Sequence, residues 1–136
     1  MGQQQLLLII LGVIVVGIAV AVGITMFTDN AVNANRDAVT NDLVNLAARA
    51  QQFYRRPTAL GGGGNSFVGL TADAAGLRKL TNRASNANGA YTITSAGTTT
   101  GVTIQGVGTE HADVTNFVTQ EIHVFSDKAD SVVIIH

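Results

Sequence analysis

The sequence contains no cysteine and no tryptophan, only one proline, and few charged residues. Without cysteine the chain has no disulfide framework, no thiolate metal ligand and no cysteine nucleophile. Charged residues make up 12% of the chain, against roughly 25% in an average protein. Because the net charge is only -1, no concentrated Lys and Arg face is expected for phosphate backbones, and we predict no nucleic acid partner.

Residues suited to catalysis or to metal binding are also scarce. Glu110, His111 and Asp113 fall close together in the sequence EHAD. Such groups can ligate a cation, but we interpret this segment as a polar loop between strands. No spacing indicates a Ser/His/Asp triad or paired carboxylates. We therefore expect no enzyme activity, no cofactor and no metal, and we interpret the basic clusters as solvated surface: Arg55 and Arg56, and Arg78, Lys79 and Arg83.

The most prominent feature that is present is an apolar run at the start of the chain. No charged side chain occurs between Met1 and Thr28, and the run from Leu6 to Phe27 is long enough to cross a bilayer. A signal-peptide core is shorter and follows basic residues, so we expect this segment to be retained. Glycines within it would let helices approach one another closely: Gly12, Gly17 and Gly23.

A second, amphipathic stretch follows the apolar run without a break. Apolar residues recur there at steps of four, three, four and three, which is a helical stripe: Val39, Leu43, Leu46, Ala50 and Phe53. Asp29 or Asn30 could cap a new helix, but neither forces a break, and Pro57 is the first clear stop. We predict one helix from about Gln3 to about Tyr54, about 75–80 Å long.

The chain therefore divides into a long helix over residues 1–55 and a globular head over residues 56–136. The helix has an apolar half, 1–28, and an amphipathic half, 29–55, whose stripe should pack on the head. In the head, Gly61 to Gly64 predict a flexible loop, and TADAAGLRKLTN predicts a short helix with Thr71 as cap and Leu77 and Leu80 inward.

From Ala90 onward the sequence predicts β-strands. Segments rich in Val, Ile, Thr, Tyr and Phe are separated by turn-like breaks at Ala96–Gly97, at Gly106 to Asp113, and at Asp127 to Asp130. Apolar and polar residues alternate within the segments, so one face should be buried. The predicted fold class is α+β, with a long N-terminal helix and a C-terminal antiparallel sheet of three to four strands.

This layout resembles a type IV pilin or a related pilin-like filament subunit. The resemblance in motif covers the N-terminal third: GQQQLLLIILGVIVVGIAVAVGI is similar to the hydrophobic assembly segment of that family, and NRDAVTNDLVNLAARAQQFYRRP to the amphipathic half of its long helix. It implies a structural subunit of an extracellular filament, held in the inner or cytoplasmic membrane before assembly. The implied partners are other copies of the chain, the membrane and an assembly machinery.

The resemblance also implies which residues form the filament core, but it leaves two alternatives for the mature N-terminus. The chain either begins at a mature Met1 or carries a minimal leader that ends at Gly2. Many bacterial members have a glutamate near this end, where the chain has Gln5 or, counted from Gln3, Leu7. The expected core residues are Leu6, Leu7, Ile10, Gly12, Val13, Val16, Gly17, Val20, Gly23 and Phe27.

Two other functions fit the same sequence. One is a pseudopilin of a secretion or DNA-uptake apparatus. The other is a monomeric binding module that is anchored in a membrane and carries a β-sheet head. A simple anchor needs no continuous helix through both halves, which favours the filament subunit.

Overall fold

The computed structural model describes residues 2–136. Its longest element is helix α1, Gly2–Arg55, which runs without interruption and extends one residue beyond the prediction at each end. Asp29 and Asn30 continue the helix rather than capping a new one. Because no proline precedes Pro57, every backbone N–H needed for the helix is available.

A four-stranded antiparallel sheet follows, with the strands paired in chain order. The strands are β1 (Gly89–Ser95), β2 (Gly101–His111), β3 (Phe117–Phe125) and β4 (Val133–Ile134). Each strand pairs antiparallel with the one before it. The predicted α+β class, with a long N-terminal helix and a C-terminal antiparallel sheet, is therefore confirmed.

The inner face of the sheet packs on the amphipathic half of α1. The five predicted stripe residues are all buried, and they share one apolar core with Ile104, Ile122 and Val124 of the sheet. The first buried residue along α1 is Val32. No residue before Val32 is therefore buried by the head, and the apolar half of α1 projects beyond it.

The segment between α1 and β1 also supplies core residues. Leu77 and Leu80 are buried as predicted, but Phe67 and Leu70, which the sequence did not single out, are completely buried. The ring of Phe67 lies 4.9 Å from that of Tyr54, measured between centroids. This segment therefore closes the end of the core beside the last turn of α1.

The glycine segment that we predicted as a flexible loop instead folds back over the end of α1. Gly63 N–H donates to the carbonyl of Phe53 at 2.8 Å, and Asn65 N–H donates to that of Tyr54 at 2.7 Å. These carbonyls have no partner within the helix. Gly64 has a positive φ of 59°, which glycine adopts without strain, so the glycines let the chain cap the helix.

The predicted break between Gly106 and Asp113 is wrong, because β2 continues through this segment to His111. Its glycines mark close packing rather than a turn. A Cβ on Gly106 would lie 2.8 Å from Val39 Cγ1, and a Cβ on Gly108 would lie 2.0 Å from Asn35 Oδ1. Glycine inside a strand is a known sign of such a close approach.

The predicted cap of the short helix is also corrected. Helix α2 spans Ala74–Arg78, and its N-cap is Asp73, whose side chain accepts a hydrogen bond from Gly76 N–H. Thr71 instead donates its hydroxyl to Asp73 Oδ1 at 2.6 Å. Either residue type is a good cap, so the choice depends on where the chain turns into the helix.

Two buried polar side chains tie α1 to the sheet. Asn35 donates to the carbonyl of Asn88 at 2.8 Å and accepts from Thr109 N–H at 3.1 Å. Gln120 lies on the inner face of β3 and accepts from the Thr40 hydroxyl at 3.0 Å. Buried polar groups cost free energy unless they are paired, so both contacts fix the register of α1 against the sheet.

The substitution Gly108→Ala tests this close approach. We expect it to lower the free energy of unfolding by about 1–3 kcal/mol, because the added methyl overlaps the Asn35 amide. Thermal unfolding of the full chain in detergent micelles measures the effect. In an Asn35→Ala background the overlap with the amide disappears and only the 3.1 Å contact with Val118 Cβ remains, so the same substitution should cost much less. An equal loss in both backgrounds would contradict the steric explanation.

Candidate assembly surface

The apolar half of α1 is uncovered by the rest of the chain. Every large apolar side chain from Leu6 to Phe27 is more than half exposed, and Phe27 reaches 80%. The helix is long and apolar enough to cross a membrane. An exposed apolar surface of this extent marks an interaction site with protein or lipid.

The predicted filament-core residues all lie on this uncovered surface, distributed around the helix. The small residues fall on two sides of it. At 100° per residue, Gly12, Ala19 and Gly23 lie within about 40° of one another, and Gly17 and Ala21 lie on the opposite side. A Cβ on any of the three glycines would meet nothing within 4 Å. Neighbouring helices could therefore approach closely from two directions.

The polar residues near the end of the apolar run bond within the helix. Thr25 and Thr28 donate their hydroxyls to the carbonyls of Ala21 and Ile24, each at 3.0 Å. Hydroxyls that are satisfied in this way tolerate an apolar environment. At the other end, Gly2 begins the helix and Gln5 is exposed, while Met1 lies outside the described residues.

A cleft of about 480 Å³ lies where the apolar half meets the head. It is lined by Thr28 to Arg36 of α1 and by His111 to Asp113 of the β2–β3 connection. The Arg36 Nε atom is buried there and has no hydrogen-bond partner among residues 2–136. Asp29 and Asp113 give the cleft two carboxylates.

The candidate cation ligands of the EHAD segment do not converge in the structure. Within residues 2–136, no group of three or more His, Asp and Glu side chains could hold a metal ion. Asp113 accepts hydrogen bonds from the side chain of Asn116 and from the backbone N–H groups of Thr115 and Asn116, and these bonds hold the pKa of its carboxyl well below the usual range. Because these hydrogen bonds are local, Asp113 shapes the β2–β3 turn. His111 stacks on Phe117, with 4.1 Å between ring centroids.

The other histidine within a strand, His123, also has a local partner. Its Nδ1 lies 2.9 Å from the Thr103 hydroxyl on the neighbouring strand. Beside this pair, Gln105 donates to Glu121 at 3.0 Å. Cross-strand pairs of this kind stabilise a sheet, so these polar residues have structural roles on its outer face.

Asp42 of α1 is the centre of a polar cluster at the edge of the head. It accepts from the Tyr91 hydroxyl at 2.5 Å and from the amides of Asn86 and Asn88, each at 2.9 Å. Partial desolvation raises the pKa of Asp42, but the hydrogen bonds outweigh it and hold the pKa below its usual value. Burial and the Asp42 carboxylate together raise the pKa of Tyr91.

Basic side chains gather around two clefts beside the C-terminal turns of α1. One cleft, of about 310 Å³, is lined by Arg49, Arg56 and Lys79. The other, of about 330 Å³, is lined by Arg49, Arg83 and Asp42. Arg49 donates to the carbonyl of Leu80 at 3.1 Å, so the guanidinium is fixed between the two clefts.

Comparison of the chain with protein-family models, with curated proteins and with solved structures found no match. Function is therefore inferred from the surface of the molecule itself.

The Asp42 cluster predicts a dependence of stability on pH. The pKa of Asp42 is lower in the folded state, so its contribution is present above about pH 4, the unfolded value, and is lost as pH falls through the folded pKa. Asp42→Asn should lower the free energy of unfolding by roughly 1.5 kcal/mol near pH 7. This is the low end of the range for hydrogen bonds to a charged group, chosen because solvent reaches Asp42 and screens its charge. This difference should shrink below about pH 4.

Thermal unfolding of the full chain between pH 2 and pH 7, in micelles of a non-ionic detergent, measures this difference. Asp37→Asn is the matched control, because it removes an exposed carboxylate from the same helix. A destabilisation by Asp42→Asn that stays constant down to pH 2 would show that the charge of Asp42 is not what the cluster uses.

Proposed function

We propose that this chain is the structural subunit of an extracellular filament of the type IV pilus kind, polymerising through the apolar half of α1. Before assembly the same segment holds the subunit in the cytoplasmic or inner membrane. The observation that carries the proposal is the uncovered apolar half of α1, which is continuous with a half that is packed into the head.

The continuity of α1 supports a filament over a simple anchor. A membrane anchor needs only about 20 apolar residues, and a flexible linker would serve to attach a head. Here α1 instead continues from Phe27 into the head, where Asn35 and Gln120 fix its position. A rigid connection lets the packing of the apolar helices determine where each head is placed, which a regular polymer requires.

The distribution of small residues supports packing against several neighbours. Burying a Leu, Ile or Val side chain away from water is worth about 1.5–3 kcal/mol, but lipid and a helix bundle satisfy this requirement equally. Close backbone approach through glycine and alanine favours the bundle. Small residues on two sides of α1 provide such contacts to more than one neighbour, as a polymer demands. Because transfer from lipid gains little, extraction from the membrane requires an assembly machinery.

The alternatives keep the same fold and differ in what the apolar half contacts. A pseudopilin would use the same helix in a short, scarce assembly. A monomeric anchored module would leave the helix in lipid permanently. In all three cases the exposed connections before and after β1 are rich in Thr and Asn.

The direct test is electron microscopy of material sheared from cells that produce the chain, with mass spectrometry of the same material. A filament subunit predicts thin, uniform fibres in which this chain is the main protein. Recovery of the chain only from the membrane fraction would contradict the proposal and favour the anchored module. Short or rare fibres dominated by another protein would favour the pseudopilin.

Substitutions of the apolar half separate membrane retention from polymerisation. Gly12→Leu and Gly17→Leu each place a large side chain on one of the two small-residue sides. Lipid accommodates the added volume, whereas close helix packing does not. We expect both variants to remain in the membrane fraction and to lose fibres by about tenfold or more, which corresponds to about 1.4 kcal/mol per subunit contact.

Val22→Leu is the matched control, because it enlarges an already bulky side chain in the same helix by one methylene. Fibre yield from this variant should stay close to that of the unmodified chain. If Gly12→Leu and Gly17→Leu give fibres at the same yield as Val22→Leu, close approach at the glycines is not what holds the polymer together.

A further inference from the structure

Opposite charges occupy opposite ends of the head. Four cations surround the two clefts at the C-terminal turns of α1; we call this set the distal basic surface: Arg49, Arg56, Lys79 and Arg83. Carboxylates lie where the head meets the apolar half of α1; we call this set the proximal acidic surface: Asp29, Glu110 and Asp113.

The four cations of the distal basic surface outnumber the two carboxylates beside them: Asp42 lines the cleft of Arg83, and the charge of Asp73 acts on Lys79. Lys79 donates to the carbonyl of Gly69 at 2.6 Å, and Arg49 donates to that of Leu80. Asp42 keeps its negative charge while it accepts hydrogen bonds from Tyr91 and two asparagines. The surface therefore keeps an excess of positive charge.

The proximal acidic surface keeps an excess of negative charge. Arg36 is the cation that lines its cleft, together with Asp29 and Asp113, and the Arg36 Nε atom is buried without a partner among residues 2–136. Glu110 does not line the cleft, but it is exposed beside it, next to His111 on β2, and its backbone N–H donates to Asn35. Asp37, which is exposed, lies about two turns beyond Asp29 along α1. His111 also lines the cleft, stacked on Phe117.

The geometry of α1 relates the two surfaces to each other. At 1.5 Å and 100° per residue, Asp29 and Arg49 are about 30 Å apart along the helix axis and about 160° apart around it. A contact between two different, complementary patches is heterologous, and it generates an open helical array when the rotation does not close a ring. One chain therefore carries both halves of a contact that can repeat indefinitely.

We infer that the distal basic surface of one copy docks on the proximal acidic surface of a neighbouring copy in the polymer. This inference rests on the proposed function and adds to it a head-to-head contact beside the packing of the apolar helices. The occupant is a second copy, because a parallel neighbour that is displaced by about 30 Å along the helix axis brings its acidic surface level with the basic surface of the first copy. Charge complementarity of this kind fixes register and suppresses wrong pairings.

Charge reversal in the full chain tests the contact. Arg56→Glu with Arg83→Glu, and separately Asp29→Arg with Glu110→Arg, should each reduce the yield of sheared fibres by about tenfold or more, since like charges face each other. Combining all four substitutions restores opposite charges and should recover most of the fibres. Lys128→Glu, on the β3–β4 turn, is a charge-changing control that should have no effect.

Each outcome decides between the possibilities. Unchanged fibre yield in both double variants, or no recovery in the quadruple variant, overturns the inference while leaving the proposed function intact. Absence of fibres from the unmodified chain overturns both. A third outcome is that the Arg56→Glu, Arg83→Glu variant forms fibres at full yield but these fibres no longer bind heparin. This outcome would overturn the inference and show that the distal basic surface is a site for polyanions.

Cross-linking gives a second measurement that does not depend on yield. The chain has no cysteine, so single cysteines can be introduced without background. Fibres from cells producing both Arg83→Cys and Asp29→Cys should give covalent dimers with a short bis-maleimide. Lys128→Cys with Asp29→Cys is the control and should give few. Equal dimer yields from the two pairs would overturn the inference.

Discussion

The unbroken backbone hydrogen bonding of α1 is the constraint on which the rest of the structure depends. One helix carries two surfaces of different character, and it cannot bend to hide the first against the second. The head covers α1 only from Val32 onward, because the sheet and its connections are shorter than the helix. The apolar residues from Leu6 to Phe27 are therefore left uncovered by the rest of the chain, and the proposal is that lipid and then other copies cover them.

The rigidity of this arrangement comes from contacts inside the head. The apolar stripe of α1 packs the helix against the sheet, but apolar packing alone would let the helix slide and rotate relative to the sheet. Asn35, Gln120 and the close contacts at Gly106 and Gly108 remove that freedom, since each requires one relative position. The direction of the apolar half is consequently fixed relative to the charges on the head, which is what an ordered polymer needs.

Local patterns made the main elements predictable from the sequence. The absence of charge from Met1 to Thr28, the stripe from Val39 to Phe53 and the alternation in the strands led to the helix, its buried face and the sheet. The extent of β2 was missed because Gly106 and Gly108 look like turn residues unless the neighbouring helix is known. The capping role of Gly61 to Gly64 depended in the same way on the exposed carbonyls of Phe53 and Tyr54.

The apolar surface was predictable because all its residues are consecutive, whereas the two charged surfaces were not. Arg49 lines one cleft with Lys79 and another with Arg83, and Asp29 lines a third with Asp113, so these residues come together only after the chain folds.

Helical reconstruction of the fibre by electron cryo-microscopy tests the central claim most directly. The account predicts that residues 6–27 of each copy are enclosed by the same segment of its neighbours. A fibre whose copies touch only through their heads, or a chain found only as a lipid-embedded monomer, would contradict it.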